Sequence, residues 1–101
     1  MKVKFKGWDC IAQFDYYYNG RVHILLIDAH TREPIANCTV NVPEEKQNDD
    51  EVFIKDYSEN VGMVDSLVEA NIINRPHRFI TTGFVTIPVC VLVNGADSFQ
   101  P

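Results

Sequence analysis

Alternating apolar and polar residues in the first 42 positions predict a series of short β-strands. The strand patterns cover residues 2–6, 9–18, 21–28 and 35–42. Asn19-Gly20 separates the second and third strands and is a strong hairpin signal, because a tight type I′ turn needs positive φ at both central positions. Short connections between consecutive strands predict an antiparallel meander.

The apolar spacing becomes helical after residue 55 and predicts one helix near residues 59–70. The apolar residues at this spacing are Val61, Val64, Leu67, Val68 and Ile72. Asp56, followed three residues later by Glu59, predicts a capping box at the start of the helix. Asn71 is the expected left-handed residue at its end.

A run rich in Val and Ile predicts a last strand at residues 84–93. Its odd-numbered residues form one apolar face, and Pro88, which has no N–H, predicts an edge strand or a bulge. We expect this strand to complete the same sheet, with the helix on one face. The residues expected to be buried together are Val64, Leu67, Val68, Val40 and Val89.

These elements predict an α+β fold, an antiparallel β-meander sheet with a C-terminal strand, packed against one α-helix. At 101 residues, the chain has room for one core. We expect residues 1–93 to form a single domain and residues 94–101 to form a polar, frayed C-terminal tail.

The negative charge of the chain is concentrated in one segment. Residues 43–59 hold seven acids and two bases, a balance equal to the whole net charge of −5. Such a segment repels phosphate, so we expect no direct nucleic-acid binding and instead a protein partner with a basic surface. The candidate partner-binding residues are Glu44, Glu45, Asp49, Asp50, Glu51, Asp56, Tyr57 and Glu59. The alternative is a solvated loop that serves only solubility.

Three cysteines, odd in number and widely spaced, predict buried free thiols rather than disulfides. They are Cys10, Cys38 and Cys90, and none of them precedes the predicted helix, where a thiolate would be stabilised. The histidines, His23, His30 and His77, lack metal-ligand spacing, and the glycines form no phosphate loop. We therefore expect no catalytic residue, no metal and no cofactor.

The run Tyr16-Tyr17-Tyr18, with Trp8 and Arg21 nearby, suggests a platform on which bases stack. Strand alternation, however, places Tyr17 on the face opposite Tyr16 and Tyr18. Core and cross-strand packing is the favoured interpretation, and an interface contact from one tyrosine is the second.

The N-terminal residues carry lysines but no following apolar segment, which argues against a secretory signal. The longest apolar run has seven residues, Ile87 to Val93, and is too short to span a membrane. Together with the reduced cysteines, this predicts a cytoplasmic protein. The sequence leaves homo-oligomer formation open.

Several stretches resemble a family of short bacterial proteins of unknown function, products of phages, plasmids and conjugative elements. The main stretch is E-V-F-I-K-D-Y-S-E-N at residues 51–60, continuing through Gly62-Met63 to Leu67, Glu69 and Ala70. Shorter ones are residues 33–36, 82–85 and 88–90, and the resemblance covers about residues 2–93. Asn71 stands where the family pattern has Gly, a change that a left-handed cap tolerates. The family carries no known activity, so no catalytic residue is implied.

The resemblance implies a non-enzymatic mobile-element accessory protein that acts by protein binding, such as an anti-CRISPR-like inhibitor of a bacterial defence complex. The alternative is a small-ligand-binding or sequestering protein, which needs a pocket between sheet and helix. A small hydrolase is the third hypothesis, disfavoured because no nucleophile–base pair is evident.

Overall fold

The computed structural model describes residues 1–94 and shows an α+β fold built from two antiparallel sheets and one α-helix. The first sheet is a meander of strands in the order β1-β2-β3-β4, and the second has the order β5-β7-β6. The strands are β1 Lys2–Phe5, β2 Trp8–Tyr16, β3 Val22–Asp28, β4 Pro34–Asn37, β5 Glu51–Phe53, β6 Arg78–Thr82 and β7 Val85–Val91. The predicted fold class is confirmed, whereas residues 95–101 of the predicted tail lie outside the described residues.

The predicted meander is confirmed, although its fourth strand ends at Asn37 rather than at residue 42. The hairpin between β2 and β3 does not use the type I′ turn predicted there. Gly20 has φ +85°, whereas Asn19 does not have positive φ. Gly20 N–H donates to Tyr17 O at 2.8 Å, and Tyr17 N–H donates to Arg21 O at 2.7 Å. The connection is thus longer than two residues, and a loop of that length needs one left-handed position, which Gly supplies.

The C-terminal strand does not complete the first sheet. It lies at the centre of the second sheet, between β5 and a strand the sequence pattern missed, β6. Pro88 is therefore neither at an edge nor shown at a bulge. Ile54 N–H donates to Pro88 O at 3.0 Å just after β5 ends at Phe53. Because the N–H and C=O of one strand residue point to the same side, the missing donor faces the end of β5.

The helix, α1, is shorter than predicted and spans Met63–Glu69, after a 3-10 helix at Ser58–Asn60. The capping-box prediction is wrong, because Gly62 occupies the N-cap position with φ +100°. Asp56 nevertheless supports the start of the helix: its carboxylate accepts from Gly62 N–H at 3.0 Å and Val64 N–H at 2.8 Å. Glu59 instead pairs with Lys55, with Nζ and Oε1 3.2 Å apart.

Asn71 ends the helix in the predicted left-handed conformation, with φ +61°. Its N–H donates to Val68 O at 3.0 Å, and Ile72 N–H donates to Leu67 O at 3.0 Å. These are the two hydrogen bonds of a Schellman motif, which satisfies carbonyls at the helix end.

The core consists of two clusters, one on each face of the second sheet. Leu67 and Val64 are buried in the larger cluster, between α1 and both sheets, as predicted, and Val68 packs against it half-buried. Val89 and Val40 belong to the smaller cluster instead. Val89 lies there because side chains alternate between the two faces along β7. The odd-numbered residues face the smaller cluster, whereas Cys90, and Leu92 just after the strand, face the larger cluster that contains the helix.

Candidate protein-binding surface

The acidic loop, residues 43–50, connects the first sheet to β5 and is held on one side by Arg21. The guanidinium of Arg21 donates to Val42 O at 2.7 Å and to Glu45 O at 2.6 Å. It also lies 5.7 Å from the ring centroid of Phe53. Arg21 thus binds the backbone of the loop and leaves the loop carboxylates without this positive partner.

On the other side, the loop is held by a cluster around Glu51, which is 2% exposed. Arg78 donates from Nη2 to Glu51 Oε1 at 2.7 Å and to Lys46 O at 3.0 Å. His77 Nε2 lies 2.6 Å from Glu51 Oε2. Asn48 N–H donates to Oε1 at 2.9 Å. The charged hydrogen bond from Arg78 is the main cause that lowers the pKa of Glu51 from 4.5 to about 2.

Glu51 therefore does not belong with the exposed acids in which the sequence placed it. It begins β5 and is the buried anchor of the loop, so a partner has little access to its carboxylate. Charge reversal at Glu51 should destabilise the fold, because a buried lysine there would face Arg78 and His77.

The remaining acids of the loop form no ion pair. In the part of the chain that the structure describes, none of them has an ion-pair partner within 4 Å or a side-chain hydrogen bond. They are Glu44, Glu45, Asp49 and Asp50. Both arginines that contact the loop bind backbone carbonyls or Glu51. The result is an anchored loop with four carboxylates outside any ion pair, of which Glu45 also interacts electrostatically with Arg78 over a longer distance.

The other predicted binding residues serve the start of the helix. Asp56 caps α1, and Glu59 pairs with Lys55. Tyr57 is half-buried against the smaller core cluster, with Lys55 Nζ 5.7 Å from its ring centroid. Within residues 1–94, no side-chain hydrogen bond links these residues to the acidic loop.

The structure brings the acidic loop next to the hairpin tip, residues 16–20. Tyr16 is 52% exposed and Tyr18 is 89% exposed. Tyr17 faces the other way, as predicted, with its hydroxyl 2.8 Å from Thr39 Oγ1. A cleft of about 370 Å³ separates the tip from the loop. Its walls include Tyr16, Asn19 and Gly20 from the tip and Gln47, Asn48 and Asp49 from the loop.

The cysteine prediction is confirmed: Cys10, Cys38 and Cys90 are buried and free. Burial raises the pKa of Cys38, and it raises the pKa of Cys90 to about 12. These thiols are therefore protonated at neutral pH and are poor nucleophiles. Over residues 1–94, no cluster of His, Cys, Asp and Glu side chains could hold a metal ion.

Comparisons with known proteins identify no relative: no family model, curated protein or solved structure matches this chain. The resemblance to mobile-element proteins accordingly stays a prediction from sequence motifs. No helix within residues 1–94 has the length and hydrophobicity to cross a membrane.

Proposed function

We propose that this chain is a non-enzymatic binding protein that uses the acidic loop and the hairpin tip to engage a partner with a basic surface. The observation that carries the proposal is the arrangement of charge around the loop. Two arginines contact it, yet they bind carbonyls and the buried Glu51, and within residues 1–94 the four outer carboxylates have no ion-pair partner within 4 Å. A basic partner would supply that counter-charge.

The anchoring of the loop also favours binding. Arg21 binds the Glu45 carbonyl and Arg78 binds the neighbouring Lys46 carbonyl, and the Glu51 carboxylate accepts from Asn48 N–H within the loop. A loop ordered before association loses less conformational entropy when the partner arrives. The exposed rings of Tyr16 and Tyr18 add large, rigid contact area beside the charged loop. Tyrosine is enriched at the binding hot spots of protein interfaces.

The proposed partner class comes from the sequence resemblance to phage and plasmid proteins. A defence complex that binds nucleic acid has a basic groove, and an acidic surface is complementary to it. The proposed place of action is the cytoplasm, which agrees with three free cysteines. Expression in a strain with active CRISPR interference should restore plating of a targeted phage. Unchanged plating would contradict this partner class.

The two alternatives have less support. Met63 and Leu67, both 0% exposed, fill the interior between the first sheet and the helix. A small ligand would instead have to use the open surface groove of about 430 Å³ between α1 and the second sheet. A thiol hydrolase would need an accessible thiolate, and the three thiols are buried.

The test is capture of partners from a bacterial extract with two matched charge-reversal variants. Asp49→Lys with Asp50→Lys changes the acidic loop, and Glu33→Lys with Glu69→Lys changes exposed acids elsewhere. Each reversal adds two positive charges, so both double variants move the net charge from −5 to −1. We expect a protein partner that the wild type and the second variant retain and the first variant loses. Equal retention by both variants would contradict the proposal.

A further inference from the structure

The cleft between the hairpin tip and the acidic loop has two chemically different walls. An aromatic ring, Tyr16, stands on the side of the tip. On the side of the loop, Asp49 contributes an exposed carboxylate with no ion-pair partner, and Gln47 contributes an amide. Gln47 Nε2 donates to Glu51 O at 2.7 Å, which leaves its Oε1 as a hydrogen-bond acceptor.

We infer that this cleft receives an arginine side chain of the partner, an inference that rests on the proposed function. A guanidinium is planar, carries five N–H donors and stacks on aromatic faces. Its flat face matches the ring of Tyr16, and its donors match the oxygen atoms of Asp49 and Gln47. A lysine ammonium lacks the flat face and gains less from the ring wall.

The polar groups open to the cleft favour a cation over an anion. Arg21 borders the cleft and keeps its positive charge, but its guanidinium donates to Val42 O and Glu45 O, so these donors are not available to an incoming anion. Asp49 in the wall and Asp50 beside it have no counter-charge within 4 Å in the described chain. An incoming phosphate or carboxylate would meet these aspartates, whereas an arginine would neutralise them.

The size of the cleft also permits entry of one arginine side chain. At about 370 Å³ it lies near the lower end of the range for small-molecule pockets, roughly 300–1,000 Å³. The partner would therefore be recognised by one inserted arginine, with further contacts to the surrounding carboxylates.

The probe is the capped peptide Gly-Arg-Gly, titrated into ¹⁵N-labelled protein and followed by NMR. We expect saturable shifts of the Gly20 and Asp49 amide signals. The peptide with citrulline, a neutral isostere of arginine, should bind at least about 10-fold more weakly because its bonds are not charge-assisted. The peptide with lysine should also bind more weakly than the arginine peptide. Equal binding of the citrulline peptide, or shifts elsewhere only, would overturn the inference.

Two pairs of variants locate the site. Tyr16→Ala and Asp49→Asn remove the walls of the cleft and should weaken arginine-peptide binding. Phe84→Ala and Glu33→Gln change an exposed aromatic residue and an exposed acid outside its lining and should have no such effect. Equal weakening in both pairs would also overturn the inference. A partner lost on reversal of Asp49 and Asp50, with no peptide bound in the cleft, would refute the arginine site and leave the proposed function standing. Peptide bound in the cleft, with partner capture unchanged by that reversal, would refute the proposed function.

Discussion

Replacing Glu51 with Gln removes the buried charge that anchors the acidic loop, and its effect on stability follows from the pKa. The carboxylate is 2% exposed, and its pKa is lowered from 4.5 to about 2, chiefly by Arg78. That difference, at about 1.4 kcal/mol per pH unit, corresponds to roughly 3 kcal/mol of stability at neutral pH. Gln keeps an acceptor for Asn48 N–H but loses the charged bond with Arg78, so we expect Glu51→Gln to lower the unfolding free energy by about 3 kcal/mol.

The assay is urea unfolding at several pH values. Between pH 4.5 and pH 2 the unfolded state binds a proton at Glu51 and the folded state does not. The contribution of Glu51 is therefore fully present above pH 4.5 and is lost as the pH falls through 2. Glu51→Gln should lack this part of the pH dependence, and its stability should approach that of the wild type at pH 2. Asp49→Asn, at an exposed acid, is the matched control and should change stability by less than about 0.5 kcal/mol. A loss below about 1 kcal/mol at pH 7, or an unchanged pH profile, would refute the reasoning.

Other substitutions test the helix and the core. Asp56→Ala removes two hydrogen bonds at the helix start and should lower the unfolding free energy, measured in urea, by about 1–2 kcal/mol. Glu59→Ala breaks only an exposed ion pair and should lower it by less than about 0.5 kcal/mol. Equal effects would contradict the capping role. Cys38→Ala and Cys90→Val should change stability by about 1 kcal/mol or somewhat more and leave binding intact. A folded, stable Cys90→Ser variant without binding would contradict a purely structural thiol. Asn71→Gly should be neutral or stabilising in thermal unfolding, because φ +61° suits Gly; a loss above about 1 kcal/mol would argue against the left-handed cap.

The sequence predicted the local features of the fold because their patterns are short in range. Alternation identified the meander, and helical spacing identified α1 and its left-handed end at Asn71. It missed β6, where Ile80 is the one strongly buried residue of five, so the apolar alternation is weak. It also placed β7 in the first sheet rather than the second. Its neighbour β5 has only three residues and is buried on both faces, so β5 shows no alternation of apolar and polar residues.

The candidate surface was predicted in part. The concentration of charge drew attention to the acidic loop, but Glu51 was counted among its exposed acids. Its partners, His77 and Arg78, are 26 and 27 residues away in sequence, so no local pattern reveals their pairing. No local pattern indicates that the hairpin tip and the loop are neighbours. Their proximity depends on Arg21 reaching Glu45 O across 24 residues, a contact that only the folded chain makes.

The association rate constant of the captured partner tests the central claim most directly. It should be measured at low and high salt for the wild type, for Asp49→Lys with Asp50→Lys, and for Glu33→Lys with Glu69→Lys. We expect the loop variant to associate about 10-fold more slowly or worse at low salt and to lose most of its salt dependence, because unpaired carboxylates steer a basic partner. The control variant has the same net charge as the loop variant, and its association rate constant should stay within about 2-fold of the wild-type value. Equal slowing of the two variants, or no change in the loop variant, would contradict binding through the acidic loop.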